Sequence, residues 1–421
     1  MTNKQVVKAF PGNLKGSVNA PSSKSLTHRA LICASLSRGE SVIRNVNISE
    51  DIIATMSVLK SIGAKFTVSS HKITVKGVSH PHLKNKVVDC NESGSTLRFL
   101  IPVLSLTNKE VHFTGKDSLL KRPMDIYQDV FDISESTFIV QQDKIVVNGS
   151  IKANEYILKG DVSSQFFSGL LFALPLLKEN STIIIDGNLE SKAYVDLTIA
   201  MLQKFGIVIK KLENGYFIKG NQQYKHTDVI VEGDYSQAAF YLVAGVISGK
   251  VHVQNLTHNS KQGDKAIIDI IQSMDGKVVF MENGFVAEQT STNGEAIDIS
   301  ETPDLGPIVC LLGALSKGTT TIKNIERLRI KESDRVKSTI ESLSKLGANI
   351  KEENGEIIIH GKKTLQGGVT VDSYNDHRIA MMLSIAALRC EQPITITNAI
   401  AVNKSYPHFY EDYKQLKGKI E

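Results

Sequence analysis

Apolar and polar positions recur along this chain as one motif. A small-residue turn leads into a strand with partial alternation. The strand stops at Asn or Gly, a polar loop follows, and a helix closed by Gly comes next. The motif is clearest in GTTTIKNIERLRIKESDRVKSTIESLSKLGANI, which begins at Gly318. There Thr319, Thr321, Ile322 and Ile325 are β-favouring and partly alternate. Over 336–346 the spacing predicts a helix, with Ile340, Leu343 and Leu346 on one face. Gly347 supplies the left-handed residue that ends it. A second strand is expected over 348–351. A hairpin is expected at Glu353-Asn354-Gly355, because Asn-Gly favours a tight turn.

Further copies begin at Gly39, Asn180 and Gly249, with weaker ones at Glu110 and Pro393. Between them lie 94–106, 163–177, 236–248, 304–315 and 376–388, which are rich in Ala and Leu and apolar on almost every side. These read as buried helices. The unit is therefore β-α-β, a hairpin and a buried helix, repeated six times. Such long, irregular periods do not suit a solenoid, whereas two compact α/β domains of three units each suit 421 residues. Pattern alone places the division near residue 228, with 213–227 as a linker or hairpin.

Composition narrows the function. The chain is 41% apolar and 22% charged, which suits a globular protein with a sizeable core. No apolar run approaches the roughly 18 residues of a membrane span. The opening MTNKQVVKAFPGNLKG lacks a signal peptide's apolar stretch, so a cytoplasmic location is expected. Cys33, Cys90, Cys310 and Cys390 are far apart and make neither a CxxC pair nor a zinc spacing. Cys33, Cys310 and Cys390 read as buried small residues in a reducing compartment. The net charge of +5 is mild, and Trp is absent. No dense basic run with interleaved aromatics points to nucleic acid.

The charges matter for where they stand. Pro21-Ser22-Ser23-Lys24-Ser25 leads into an apolar helix, with Arg29 four residues after Ser25. Helix starts offer unpaired N–H groups and a partial positive charge to anions. Asn91-Glu92-Ser93-Gly94-Ser95-Thr96-Leu97-Arg98 and Ser163-Ser164-Gln165 open two further apolar helices. Lys121-Arg122-Pro123 stands before another helix, and Ser191 and Tyr194 lie in a repeat's loop. Asp304, after Thr302-Pro303, reads equally well as an N-cap or as a functional carboxylate. The segment 327–335 is the densest, with Lys331, Glu332 and Arg335 between strand and helix. Asn375-Asp376-His377-Arg378 opens a strongly apolar helix, where charges must face a ligand or one another. Lys404-Ser405-Tyr406-Pro407 lies in the last copy's loop. Each of these motifs also has a plain structural reading as a cap or a solvated charge. Jointly, equivalent ends of repeats carrying Lys24, Arg29, Arg122, Lys331, Arg335, Arg378 and Lys404 describe a cationic, donor-rich cleft.

PSSKSLTHRAL, ESGSTLR, KRPM, VSSQF, TPDLGPI, LRIKESDR, YNDHRIAM and NKSYPHF, in this order, resemble the 5-enolpyruvylshikimate-3-phosphate synthase family, the 3-phosphoshikimate 1-carboxyvinyltransferases. The resemblance covers essentially the whole chain. It implies a two-domain inside-out α/β barrel of six βαβαββ-like repeats, three per domain. It also implies that the chain crosses between domains twice. Residues 1–20 would join 229–421, residues 21–228 would form an inserted domain, and the active site would lie in the interdomain cleft. The implied reaction joins shikimate 3-phosphate and phosphoenolpyruvate through a tetrahedral adduct and releases phosphate, with no metal or organic cofactor.

By the same resemblance, Lys24, Ser25, Arg29, Ser163, Ser164, Gln165, Ser191, Asp304 and Lys331 hold shikimate 3-phosphate. Lys24, Gly94, Arg122, Gln165, Arg335, Arg378 and Lys404 hold phosphoenolpyruvate. Asp304 and Glu332 form the proton-transfer pair, with Lys24 a further candidate and His377 nearby. Gly94 keeps room for the glyphosate class of inhibitor, while Ser95-Thr96 departs from the family's commonest pattern. Glu92 and Arg327 stand where other members carry Asn, and no role passes to either. A monomer is the family's usual state. Two rivals stay open at this level. One is the related transferase acting on UDP-N-acetylglucosamine, whose reactive loop Cys has no counterpart around 116–121. The other is a nonenzymatic anion- or RNA-binding protein on the same scaffold.

Overall fold

The computed structural model describes residues 5–421, so residues 1–4 of the expected discontinuous domain lie outside it. The chain divides into two compact units. One takes the chain up to Pro21 together with Glu232–Glu421, and the other is Ser22–Val231. Local bonds explain the crossing points. Pro21 accepts a hydrogen bond from the Asp234 amide at 2.8 Å. The next residue, Ser22, exchanges two bonds of 2.7 Å with Asn47. Val231 bonds Arg44 through its N–H, whereas Gly233 bonds Asn255. The chain therefore passes from one unit's hydrogen bonds to the other's between Pro21 and Ser22, and again between Val231 and Gly233.

The six copies found in the sequence correspond to six sheets. Their first strands are Gly39–Arg44, Val111–Thr114, Ser181–Asp186, Gly249–Gln254, Thr319–Lys323 and Ile394–Thr397. In the copy from Gly318, the helix spans Arg335–Lys345, and the hairpin strands are Asn349–Glu353 and Glu356–His360. Asn354 and Gly355 between them have φ of 53° and 76°, as a twisted two-residue hairpin turn requires. Gly347 has φ of 90°, the helix-ending conformation expected of it. Parallel to Thr319–Lys323 runs Ala296–Asp298, which completes the four-stranded sheet. The polar stretch 213–227 begins within the hairpin of Ile209–Leu212 and Gly215–Ile218.

The last copy lacks a hairpin after its strand. Val6–Ala9 pairs antiparallel with Ile394–Thr397 in its place. Leu14–Asn19 then pairs in parallel with Gly249–Gln254. The N-terminal segment thus supplies strands to two sheets of the later half, which is why that unit is discontinuous.

Each unit encloses three helices behind three sheets. In Ser22–Val231 these are α1 (Lys24–Ser35), α2 (Gly94–Ser105) and α3 (Ser164–Ala173). In the discontinuous unit they are α4 (Tyr235–Ser248), α5 (Gly306–Ala314) and α6 (His377–Ala386). Every residue of α4, α5 and α6 is buried, so these helices need no polar face. Each unit has its own apolar core. All four cysteines are buried and free. Among the described residues no helix is long and apolar enough to cross a membrane, and no His, Cys, Asp and Glu group is arranged to hold a metal ion.

Candidate functional site

Side-chain caps start five of the six enclosed helices: Ser23, Ser93, Ser163, Asp234 and Asp376 each accept a backbone N–H. The cap fixes the first turn, so the residues just inside it are placed reproducibly. In Ser22–Val231 those residues are Lys24, Ser25, Gly94, Ser164 and Gln165. Lys24 Nζ pairs with Asp51 Oδ2 at 2.8 Å. Arg29 is 2% exposed and already engages three of its five N–H donors. Its Nε donates to Thr198 Oγ1 at 2.7 Å, Nη1 to the Ser25 carbonyl at 2.7 Å, and Nη2 to the Tyr194 carbonyl at 2.8 Å. Burial lowers its pKa to about 10, against opposing contributions from Tyr194 and Cys33. Arg29 therefore also braces α1 against the helix Lys192–Lys204. Ser191, with φ of 53°, is buried at the head of that helix.

Gly94, Arg122 and Gln165 come together. A Cβ built on Gly94 would lie 2.7 Å from Arg122 Nη1 and 3.5 Å from Gln165 Oε1. Arg122 Nε and Nη2 are buried without a hydrogen-bond partner among the described residues. Donors of a cation left this way favour an incoming anion. Gln165 is held at both ends of its amide, by Arg98 Nη1 at 3.0 Å and Ser95 Oγ at 3.1 Å. Arg98 was not among the expected site residues. It bonds the Pro123 carbonyl at 3.1 Å and lies 4.9 Å from the Phe166 ring centroid. It thereby links Gln165 to the segment carrying Arg122. The Glu92 carboxylate is buried and accepts from Ser118 Oγ at 2.8 Å, fastening the same segment.

In the discontinuous unit Asp304 is the centre. The N-cap reading does not hold for it. A 3-10 turn, Pro303–Leu305, precedes α5, and no side chain caps either element. The Asp304 carboxylate instead meets Arg335 Nη1 at 3.0 Å, Arg378 Nη2 at 2.8 Å and Lys331 Nζ at 3.2 Å. Burial pushes its pKa up, but Arg378, Lys331 and Arg335 outweigh that and hold it well below the usual carboxylate range. Arg335 is 1% exposed and serves three carboxylates. Besides Asp304 it pairs with Glu332 Oε2 at 2.6 Å and Asp376 Oδ2 at 2.8 Å. Burial would lower the Arg335 pKa, yet Asp376, Glu332 and Asp304 raise it. Asp376 also receives the Arg378 N–H at 2.9 Å, so one buried carboxylate both caps α6 and neutralises Arg335.

Lys331 has its pKa lowered, by burial first and by Arg327 and Arg335 among its neighbours. Lys404 Nζ donates to the Asn375 carbonyl. Tyr374 and Asn375 both lie in the left-handed region, with φ of 55° and 53°. His377 is 1% exposed, its Nδ1 3.9 Å from Asp376 Oδ1. Asp264, another residue outside the sequence expectations, accepts a hydrogen bond from Ser236 Oγ. Burial, then Asp304, pushes its pKa up to about 6, with Arg378 and the Ser236 bond opposing. Of the expected residues, Lys331, Glu332, Arg335, Asp304 and Arg378 thus form one connected ion-pair network. Lys404 stands close by, beside the start of α6.

Two units, each of three sheets around three enclosed helices, with Lys24 and Arg378 in the first turns of α1 and α6, define an α/β fold of the enolpyruvyl transferase type. The enolpyruvyl transferase NikO from Streptomyces tendae shares that fold, with a TM-score of 0.82 at 16% identity over 99% of this chain and 98% of that one. The family model described as EPSP synthase (3-phosphoshikimate 1-carboxyvinyltransferase) matches residues 9–413, and the chain belongs to that family. A 3-phosphoshikimate 1-carboxyvinyltransferase of Clostridium perfringens (strain ATCC 13124) is 49% identical over 418 residues, 98% of each chain. An EPSP synthase structure from Acinetobacter baumannii matches with a TM-score of 0.84 at 25% identity, covering 99% of both chains.

Proposed function

We propose that this chain transfers the enolpyruvyl group of phosphoenolpyruvate to the 5-hydroxyl of shikimate 3-phosphate, releasing phosphate, on the route to chorismate and aromatic amino acids. The observation that carries the reading is Asp304, a carboxylate gripped by three cations beside Glu332. The substrates bring a carboxylate and two phosphates, which compete with Asp304 for the same donors. Asp304 starts out ionised, as a proton acceptor must. As substrate anions draw Arg378, Arg335 and Lys331 away, its basicity rises toward the useful range.

In the addition step, the 5-hydroxyl oxygen bonds to C2 of phosphoenolpyruvate, Asp304 takes the hydroxyl proton, and Glu332 delivers a proton to C3. In the elimination step, the C2–O bond to phosphate breaks, a C3 proton returns to Glu332, and the proton taken up by Asp304 passes to the departing phosphate, which restores both carboxyl groups. Arg122, Arg335, Arg378 and Lys404 stabilise the carboxylate and departing phosphate, with Lys24 as a further cation and proton donor. Ser25, Arg29, Ser163, Ser164, Gln165, Ser191 and Lys331 hold shikimate 3-phosphate. Gly94 leaves space beside Arg122 for phosphoenolpyruvate, and for a glyphosate-class anion competing with it. The chain works as a cytoplasmic monomer in this reading, in keeping with its buried thiols.

The test is an incubation followed by phosphorus and proton NMR. With both substrates, free phosphate and vinyl-ether protons should grow together; with either alone, neither should appear. No phosphate release from the pair, while each ligand still binds, would sink the transferase reading.

A further inference from the structure

Arg378 is held on two sides. Nη2 reaches Asp304 Oδ2 at 2.8 Å, and Nη1 donates to the Ser236 backbone carbonyl at 3.3 Å. Ser236 lies in the first turn of α4, and its hydroxyl donates to Asp264 Oδ2. Asp264 is 2% exposed and comes from the loop NSKQGD, remote in sequence from both partners. The same loop grips the approach to α4. Gln262 Nε2 donates to the Gly233 carbonyl at 2.7 Å and to Glu232 Oε1 at 3.0 Å, and Ser260 Oγ donates to Glu232 Oε1 at 2.7 Å. Gln262 Oε1 accepts the Tyr235 N–H at 3.3 Å. Nothing in the reaction uses Asp264 directly, yet burying a carboxylate without a task is costly.

We propose that Asp264 is a positioning residue that seats Arg378 for phosphoenolpyruvate, by locking Ser236 and by serving as a second counter-charge beside Asp304. The inference rests on the assignment of Arg378 to phosphoenolpyruvate made above. Asp264 keeps the Ser236 carbonyl aimed at Nη1, so the guanidinium retains one fixed contact when Asp304 yields Nη2 to the substrate. Its carboxyl, with a pKa pushed up to about 6 by burial and Asp304, is mostly ionised at neutral pH and can act as that counter-charge. A guanidinium placed in advance binds its anion without first being ordered.

Steady-state kinetics of Asp264→Asn, Ser236→Ala, Arg378→Lys and the Asp264→Asn/Arg378→Lys double variant test this. Asp264→Asn should raise KM for phosphoenolpyruvate about tenfold, the size of one lost hydrogen bond to a charged group. KM for shikimate 3-phosphate and kcat should stay within about threefold, a split that general unfolding does not produce. Ser236→Ala should shift the same constant in the same direction, and it decides the matter if Asp264→Asn does not fold. The double variant should be no worse than Arg378→Lys alone, because both changes act through one guanidinium. An unchanged phosphoenolpyruvate KM, an equal rise in both KM values, or full additivity overturns the inference. If Arg378→Lys itself leaves that KM unchanged, the assignment of Arg378 fails, and the inference with it.

Discussion

Replacing Gly94 by alanine places a methyl group 2.7 Å from Arg122 Nη1 and 3.5 Å from Gln165 Oε1. Ordinary contact begins at 3.4 Å, so Arg122 must retreat by roughly 0.7 Å, an overpacking of the kind that costs ~1–3 kcal/mol. The guanidinium is the end of a flexible side chain, which favours the lower part of that range. Lost affinity follows at about tenfold per 1.4 kcal/mol, giving a phosphoenolpyruvate KM raised about 5- to 140-fold. Gly94 is the first residue of α2 and has no left-handed backbone, so alanine fits the helix. Alanine is the better helix former, but displacing Arg122 costs more than the helix gains, so the melting temperature should fall modestly. The assay is initial-rate kinetics with each substrate varied, alongside thermal melting. The reasoning predicts a large change in phosphoenolpyruvate KM, little change for shikimate 3-phosphate, and weakened inhibition by glyphosate-class anions. A variant with unaltered phosphoenolpyruvate KM and an unaltered melt would refute it.

Glu332→Gln keeps size and hydrogen bonding but cannot donate and retrieve a proton; KM for both substrates should hold, while kcat falls about 10²- to 10⁴-fold in the same assay. Asp376→Asn should leave buried Arg335 short of a counter-charge, lowering stability by about 3–5 kcal/mol, read from the denaturation midpoint of the discontinuous unit's transition. Burial raises the Asp376 pKa, but Arg335 outweighs it and the net shift is downward. Asp304 is depressed likewise. Their stabilisation is present above the unfolded carboxylate value of about 4 and is lost as pH falls through the lower folded values. Stability against pH should therefore fall less steeply in acid for Asp376→Asn than for wild type.

The repeats were legible because each strand end is written in residue chemistry. Asn45, Gly187, Asn255, Asn324 and Asn398 each follow a first strand with φ between 53° and 78°. Asn and Gly tolerate that conformation, so the pattern survives in the sequence. The helix starts were legible for a similar reason, since caps are local. What lay beyond local chemistry was which charges meet. Asp304 looks like an N-cap from its neighbours, and only the fold brings Lys331, Arg335 and Arg378 onto it. Asp376 could be expected to need a partner, and Arg335, 41 positions earlier, is that partner. Asp51 carried no signal, Arg98 stood in a helix-start motif that gave no sign of its bond to Gln165, and Asp264 carried no signal either. Their partners lie 27, 67 and 28 positions away, and no spacing rule reaches so far.

The central claim is that cations hold the substrates while Asp304 and Glu332 move protons. Turnover in deuterium oxide tests it most directly. Addition makes C3 a methyl group using a solvent-derived proton, and elimination removes one of three hydrogens. Wild type should therefore put deuterium on the vinyl carbon of the product as phosphate is released, and Glu332→Gln should do neither at a comparable rate. Product formed with no deuterium at that carbon, or Glu332→Gln incorporating it at the wild-type rate, would contradict the account.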